Sequence, residues 1–339
     1  MQRIAIQTED CLSLLIWNTC NARCAHCGPM SGPGDKTGVT HEKTLSLIRE
    51  AAQLYKRGWC LSLSGGEIFL YYDRLLEYVS LAHSLGGYTT LITNGFWATS
   101  VEVAKEKLRP LKMADLRLLG ISADRFHEPY IPLQRIKSAI IAANEIGIAV
   151  QVRSVASRSG RLSNVLRSIE DANPWFVQFM EMPLIPEGRA RDIDESELFL
   201  EDDIPNGKCP AASLTLNPSG DAMVCCNGGG SYEPLQLGNI REYSLRDLEY
   251  RFATDPTLLF LRNAGPKAAL GHLPEHERQR LESKRYVNVC HLCIEIFSGK
   301  YGADVKRSIE RDFLSTMASA TEGVIGSRRS ADRQRSPTR

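Results

Sequence analysis

The chain has 339 residues, of which 43% are hydrophobic, so it can bury a large core and divide into two units or close as one α/β barrel. Its 41 lysines and arginines nearly balance its 40 aspartates and glutamates, which argues against binding to nucleic acid or anionic lipid. The N-terminus lacks the apolar stretch of a signal peptide, and no apolar run reaches membrane-spanning length, so a cytoplasmic protein is predicted.

The first predicted element is a buried strand in the apolar run Cys11–Trp17, and a cysteine motif follows it directly. Cys20, Cys24 and Cys27 have C-x-x-x-C-x-x-C spacing. Ten cysteines in a reducing compartment favour metal binding over disulfides. Three thiolates on one loop can hold a 4Fe-4S cluster and leave its fourth iron open to a second molecule. A zinc loop or unrelated buried cysteines are the alternatives, although structural zinc requires a fourth ligand.

Further along the chain, short apolar or β-branched runs alternate with helical patterns, which is typical of βα units and a parallel sheet. Strands are predicted at Leu61–Ser64, Thr89–Thr93, Leu116–Ser122, Ile148–Val155 and Trp175–Met182. Helices are predicted at His41–Tyr55, Arg74–Leu85, Val101–Leu108, Leu133–Ile146 and Leu162–Ala172. With the first run, six such units predict an α/β fold with a partial (βα)6 TIM-like barrel, open on one side.

The cysteine motif resembles that of the radical S-adenosylmethionine (radical SAM) superfamily. The resemblance implies that the three cysteines bind the cluster and that the open iron chelates the amino and carboxylate groups of SAM. It also implies a role for Gly65, Gly66 and Glu67 at the end of the second strand, which match a segment that contacts the SAM amino group. The glycines allow close backbone approach, and the carboxylate can pair with an ammonium.

Other positions match less specific family segments around SAM. Ser122 and Asp124 correspond to residues near the ribose, although an Asx turn explains Asp124 equally well. Arg153 would be costly to bury without an anion, and the resemblance directs it at the SAM carboxylate. Leu184 belongs to a segment like the family's adenine side, and His26 stands where the family has an aromatic residue against adenine. The segment Thr93-Asn94-Gly95 also resembles the family, but Asn-Gly is a frequent turn pair and receives no role.

A second cysteine set follows the barrel. Cys209 and Cys225 bracket a predicted hairpin with its turn at Asn217-Pro218-Ser219-Gly220, and Cys290 and Cys293 form a close pair. This order resembles the Twitch form of the SPASM extension, which implies a second 4Fe-4S cluster with four protein ligands. Such a cluster can carry electrons but cannot bind SAM. Zinc is the competing occupant of a four-cysteine site.

Cys226 directly follows a predicted ligand. It is either a small buried residue, a ligand that shares the role of Cys225, or a functional thiol. The chain resembles the radical SAM peptide epimerases over most of residues 11–300, notably at Ile68-Phe69-Leu70, Asn94–Trp97, the run 124–127 and the Cys225-Cys226 pair. In that subfamily the second cysteine of the pair donates a hydrogen atom. Residues 241–288 show no usable motif.

We therefore predict a radical SAM barrel at 1–190, a Twitch/SPASM-like domain at 191–317 and a disordered tail at 318–339. The predicted function is epimerisation of L- to D-residues in a ribosomally synthesised peptide, with this peptide and a small electron-donating redox protein as partners. Leader binding is expected to use the barrel, residues 241–288 or another protein. The alternatives are cross-linking or dehydrogenation of a peptide or carbohydrate, and a metal-stabilised peptide-binding module.

Overall fold

The computed structural model describes residues 10–172, 177–224 and 232–315. Six neighbouring parallel strands form one side of the sheet: β1 (Cys11–Leu15), β2 (Cys60–Ser64), β3 (Tyr88–Thr93), β4 (Leu116–Ser122), β5 (Ala149–Ala156) and β6 (Val177–Pro183). Helices follow the first five: α1 (His41–Leu54), α2 (Tyr72–Ser84), α3 (Val101–Met113), α4 (Leu133–Glu145) and α5 (Leu162–Ile169). This arrangement confirms the predicted α/β fold with a parallel sheet.

Local sequence explains where these helices begin and which face they bury. The Thr40 side chain accepts a hydrogen bond from the backbone N–H of Lys43 and so caps α1. Leu47, Ile48 and Ala51 recur at helical spacing on α1 and are fully buried against the sheet. β1 is buried on both faces except at the half-buried Ser13, as expected for a strand inside a parallel sheet.

Two helix boundaries differ from the predictions by more than two residues. α3 was predicted to stop at Leu108, ahead of Pro110, but it continues to Met113. Proline in the last turn removes one hydrogen bond without ending the helix at once. α5 ends at Ile169, and the predicted remainder is a 3-10 turn, Glu170–Ala172. The first two residues of the predicted strand Trp175–Met182 lie outside the described residues.

The sheet continues beyond the six parallel strands. The predicted hairpin is present as β7 (Thr215–Leu216) and β8 (Asp221–Met223), and β9 (Gln236–Asn239) follows it. β7 pairs in parallel with β1, with Ser13 opposite Thr215 and Leu14 opposite Leu216. The strand order is β6-β5-β4-β3-β2-β1-β7-β8-β9, so one sheet runs across the boundary predicted at residue 190.

The later part of the chain is mainly helical. Its helices are α6 (Leu245–Thr254), α7 (Pro256–Asn263), α8 (Pro266–Ala269), α9 (Glu275–Glu282), α10 (Val289–Ser298) and α11 (302–315). The motif-free segment 241–288 thus supplies α6 to α9, and α6 packs against β9 and α1. The backbone N–H of Leu245 donates to Glu50 of α1 at 3.0 Å, and the Tyr55 hydroxyl donates to Glu249 of α6. Among the described residues, each helix is too short or too polar to cross a bilayer.

Candidate active site

A cavity of about 550 Å³ opens at the carboxyl ends of the parallel strands. Its wall brings together most of the site residues predicted from the sequence: Cys20, Cys24, His26, Cys27, Gly65, Gly66, Ser122, Arg153 and Leu184. Strand ends of α/β folds are where ligands bind, so the topology explains why residues far apart in sequence meet here. Two predicted residues, Glu67 and Asp124, lie beside the cavity without lining it.

The cysteine loop leaves β1 and is closed by its own backbone hydrogen bonds. The N–H of Cys20 donates to Gly32 at 3.2 Å, and the N–H of Cys27 donates to Cys24 at 3.2 Å. Cys20 and Cys24 are buried, and Cys27 is half-buried. Burial raises the pKa of the Cys20 thiol to about 11, so its thiolate requires a compensating positive charge such as a metal.

The two glycines after β2 are required by the close approach of the cysteine loop. A Cβ on Gly66 would lie 2.1 Å from the carbonyl oxygen of Thr19. Gly65 has a φ of +152°, and its Cβ would lie 2.7 Å from the carbonyl oxygen of Trp17. In this contact the N–H of Gly66 donates to that Trp17 oxygen at 2.6 Å, and the N–H of Glu67 donates to Thr19 at 2.9 Å. The turn therefore holds the loop in place as well as lining the cavity.

The Glu67 carboxylate points toward the loop after β3. It is 1% exposed and accepts hydrogen bonds from the N–H of Phe69 (3.0 Å), the Thr93 hydroxyl (2.7 Å) and the N–H of Asn94 (2.7 Å). Burial raises the pKa of this carboxyl, although the three donors act in the opposite direction. Its oxygens are thus engaged by the protein, and Gly65 and Gly66 are the residues of this segment that face the cavity.

Asp124 organises two histidines beside the cavity. It accepts from His127 Nδ1 at 2.9 Å and lies 3.7 Å from His26 Nε2. Burial opposes its charge, but His127 outweighs this effect and holds the pKa of Asp124 at about 2. His26 stacks on Phe126 with ring centroids 4.8 Å apart, and burial lowers the pKa of His26 to about 4. A neutral imidazole on an aromatic ring therefore forms part of the cavity wall.

Arg189 is a site residue that sequence reasoning missed. Its guanidinium donates to the carbonyl oxygens of Cys24 (2.9 Å) and Ser31 (2.8 Å). Its backbone N–H donates to the carbonyl oxygen of Cys27 (3.2 Å). The preceding Gly188 has a φ of +53°, and a Cβ there would lie 2.2 Å from the Gly28 oxygen. Because the partner atoms are backbone carbonyls about 160 residues away, no motif in the sequence could have indicated this contact.

The donor atoms offer two overlapping metal sets. The three thiols are the residue type that iron–sulfur clusters take. Cys24, His26 and His127 also place one ligand atom each within 4.8 Å of one another, a mixed set suited to zinc. However, His127 Nδ1 is already bonded to Asp124, so only the other ring nitrogen of His127 remains for a metal. The three thiols thus match a cluster in donor type, and the cavity that they line is large enough for a second molecule.

A second cavity of about 330 Å³ adjoins the first, and Arg153, Leu15, Ser64 and Ile92 line both. Its wall includes Cys209, Cys290 and Cys293, three of the four cysteines predicted to hold a second metal site. Asn288 caps α10, which carries two of these thiols, by accepting from the N–H groups of Cys290 (3.0 Å) and His291 (3.1 Å). Cys225 and Cys226 lie outside the described residues.

Comparison with known proteins agrees with this geometry. Residues 14–159 match the family described as the Radical SAM superfamily. This part of the chain is therefore similar to radical SAM domains. It includes the end of β1, all of β2 to β5, the cysteine loop and the Gly-Gly-Glu segment, and the superfamily implies a 4Fe-4S cluster and SAM.

The similarity to one protein and two solved structures extends beyond residues 14–159. "Putative peptide biosynthesis protein YydG" of Bacillus subtilis (strain 168) is 24% identical over 294 residues, which are 85% of this chain and 92% of that protein. The structure of native anSMEcpe with bound AdoMet has a TM-score of 0.54 and 14% identity, covering 93% of this chain and 98% of that one. Streptococcus suis SuiB bound to S-adenosylmethionine has a TM-score of 0.53 and 14% identity, covering 76% and 68%. These two structures share the fold.

Proposed function

We propose that the chain is a radical SAM enzyme that converts L-residues to D-residues in a ribosomally synthesised peptide. The observation that carries the proposal is a cavity lined by the three thiols in the part of the chain that matches the radical SAM superfamily. The turn of the β7–β8 hairpin lines the same cavity. YydG, whose name refers to peptide biosynthesis, aligns over 85% of this chain. The same fold holds a peptide in anSMEcpe with Kp18Cys and in SuiB with precursor peptide SuiA.

Cys20, Cys24 and Cys27 would hold the first 4Fe-4S cluster. When bound, this cluster supplies the electron that cleaves SAM to methionine and a 5′-deoxyadenosyl radical. Around it, the chain provides backbone at Gly65 and Gly66 for the methionine end and the charge of Arg153 for its carboxylate. Ser122, His26 and Leu184 line the part of the wall proposed for the nucleoside, and Asp124 orients His26 from behind, without lining the cavity.

Hydrogen return requires a donor on the far side of the substrate carbon, and Cys226 is the proposed donor. Met223, which lines the cavity, precedes it by three residues. Three residues of extended chain span at most about 11 Å, and this short link to Met223 supports the choice of Cys226 as donor. With the α-hydrogen removed from one face by the cofactor, Cys226 would give its thiol hydrogen to the opposite face of the planar carbon radical. The carbon thereby changes configuration.

The remaining thiyl on Cys226 must regain one electron and one proton. The proposed electron source is a second 4Fe-4S cluster held by Cys209, Cys225, Cys290 and Cys293, three of which line the adjoining cavity. The proton comes from solvent, and a small redox protein restores the electron. The substrate itself is therefore neither oxidised nor reduced.

The test is turnover in deuterated water with the anaerobically reconstituted protein. We expect one solvent deuterium in each inverted residue and an otherwise unchanged peptide mass. A product two hydrogens lighter would instead indicate dehydrogenation or cross-linking. A colourless chain that binds zinc and releases no methionine from SAM would indicate the metal-stabilised binding module.

A cysteine variant separates SAM cleavage from inversion. In Cys226→Ala we expect SAM cleavage to continue and inversion to stop, because only the donor is lost. Cys60→Ala is the matched control, since it removes a buried thiol at the start of β2 that lines neither cavity. We expect this control to retain inversion. Inversion by Cys226→Ala would refute the role of that thiol.

A further inference from the structure

Asn94, in the segment Thr93-Asn94-Gly95 that received no role from the sequence, lies against the first cysteine ligand. It is 5% exposed, and its side-chain Nδ2 lies 3.9 Å from Cys20 Sγ and 2.9 Å from Asn21 Oδ1. The backbone N–H of Ala22 donates to the same sulfur at 3.4 Å. Cys20 therefore receives two N–H donors, one from its own loop and one from the end of β3.

The orientation of the Asn94 amide is set by its other contacts. Its Oδ1 accepts from the N–H of Phe96 at 3.0 Å, which identifies the remaining amide atom as the nitrogen. Its backbone N–H donates to the buried Glu67 carboxylate at 2.7 Å. The neighbouring Thr93 hydroxyl donates to Glu67 and accepts from the Trp97 ring at 3.0 Å. The loop that presents the amide to the sulfur is thus held from several directions.

We infer that Asn94 is a positioning residue that raises the reduction potential of the first cluster through Cys20. An N–H group directed at a ligand sulfur stabilises the additional negative charge of the reduced cluster. The inference rests on the proposed function, because it requires Cys20 to be a cluster ligand. It also gives a physical reason for the Glu67 network, which fixes the loop that bears the donor.

The experiment is an anaerobic redox titration of the reconstituted full chain, followed by electron paramagnetic resonance. The signal of the first cluster is identified by its change on addition of SAM, which a fully ligated second cluster cannot bind. In Asn94→Ala we expect the ratio of reduced to oxidised first cluster, at a fixed potential, to fall about tenfold, a shift of about 59 mV. In Asn94→Asp we expect a larger fall, because a carboxylate replaces the donor.

Trp97→Phe is the matched structural control. It removes a buried hydrogen bond to Thr93 in the same loop, but its ring keeps the stack on Phe69 and lines neither cavity. We expect its stability to fall while its potential equals that of the wild type. The inference is overturned if Asn94→Ala has the wild-type potential, or if Trp97→Phe shifts the potential equally. Loss of the first cluster from both Asn94→Ala and Asn94→Ser would also overturn it, since the residue would then hold the loop instead of tuning it.

The control for the underlying proposal is the wild-type chain itself. Absence of any SAM-sensitive signal in the wild type would refute the cluster assignment and the proposed function. A normal wild-type signal with an unshifted Asn94→Ala would refute only the role of Asn94. The two failures are therefore distinguishable in one set of titrations.

Discussion

Replacing Gly66 with alanine tests whether the turn after β2 holds the cysteine loop. The new Cβ would meet the Thr19 carbonyl oxygen at 2.1 Å, the Thr19 carbonyl carbon at 2.5 Å and the Asn18 oxygen at 2.7 Å. Ordinary contact begins at 3.4 Å, so the loop backbone would have to retreat by about 1 Å or more. Overpacking of this kind costs about 1–3 kcal/mol, and each of the two backbone hydrogen bonds across the contact contributes about 1 kcal/mol. We expect the free energy of unfolding to fall by about 4 kcal/mol.

Urea denaturation of the metal-free chain, followed by circular dichroism, measures this change. Iron content after anaerobic reconstitution reports on the loop itself, and we expect Gly66→Ala to retain less iron than the wild type. Gly271→Ala is the matched control, because a Cβ there meets no atom within 4 Å. We expect it to change stability by less than about 0.5 kcal/mol. Equal behaviour of the two variants would refute the argument that close packing fixes the loop.

Three further predictions concern the contact of Arg189 with the cysteine loop, the buried carboxyl of Glu249 and the second cavity. Arg189→Ala should lower the free energy of unfolding, measured by urea denaturation, by about 2 kcal/mol. Arg189→Lys should recover less than half of this lost stability, because an ammonium lacks the planar guanidinium geometry that reaches two carbonyl oxygens. Burial raises the pKa of Glu249 above its ordinary 4.5, so its contribution to stability should be lost as pH rises from below 4.5 through the raised value. Glu249→Gln should make the fall of stability between pH 4 and 8 in urea denaturation less steep, while the part due to the buried Glu67 remains. An unchanged slope in the variant would contradict this cause. Cys290→Ala should lower the iron content by roughly four atoms per chain while the SAM-sensitive signal persists, and loss of that signal instead would show that the thiol serves the first site.

The elements that follow from local pattern were predictable from the sequence. The six strands of the barrel lie within about two residues of their predicted positions, because apolar runs bounded by glycine and polar residues carry their own signal. The cysteine loop likewise follows the first strand, as predicted, and its three thiols line the cavity. Contacts between distant segments were not predictable. The Arg189 guanidinium donates hydrogen bonds to backbone carbonyls, which every residue has, so no residue type in the sequence identifies its partners.

The Glu67 side chain illustrates why motif position does not fix orientation. The sequence correctly placed it at the end of β2, next to the cysteine loop. Its carboxylate nevertheless faces Phe69, Thr93 and Asn94, because buried N–H and O–H groups there require an acceptor. Only the three-dimensional arrangement shows whether a buried carboxylate accepts hydrogen bonds from a bound ligand or from neighbouring groups of the protein.

The pairing of β7 with β1 makes the early half of the chain dependent on the late half. A fragment truncated at residue 190 would turn β1, an interior strand that is largely buried on both faces, into an exposed edge strand with unpaired backbone groups. Exposed edge strands pair with strands of other molecules, so the fragment should self-associate instead of remaining monomeric. Shortened versions of this protein should therefore retain the hairpin even where the cysteines that flank it are dispensable.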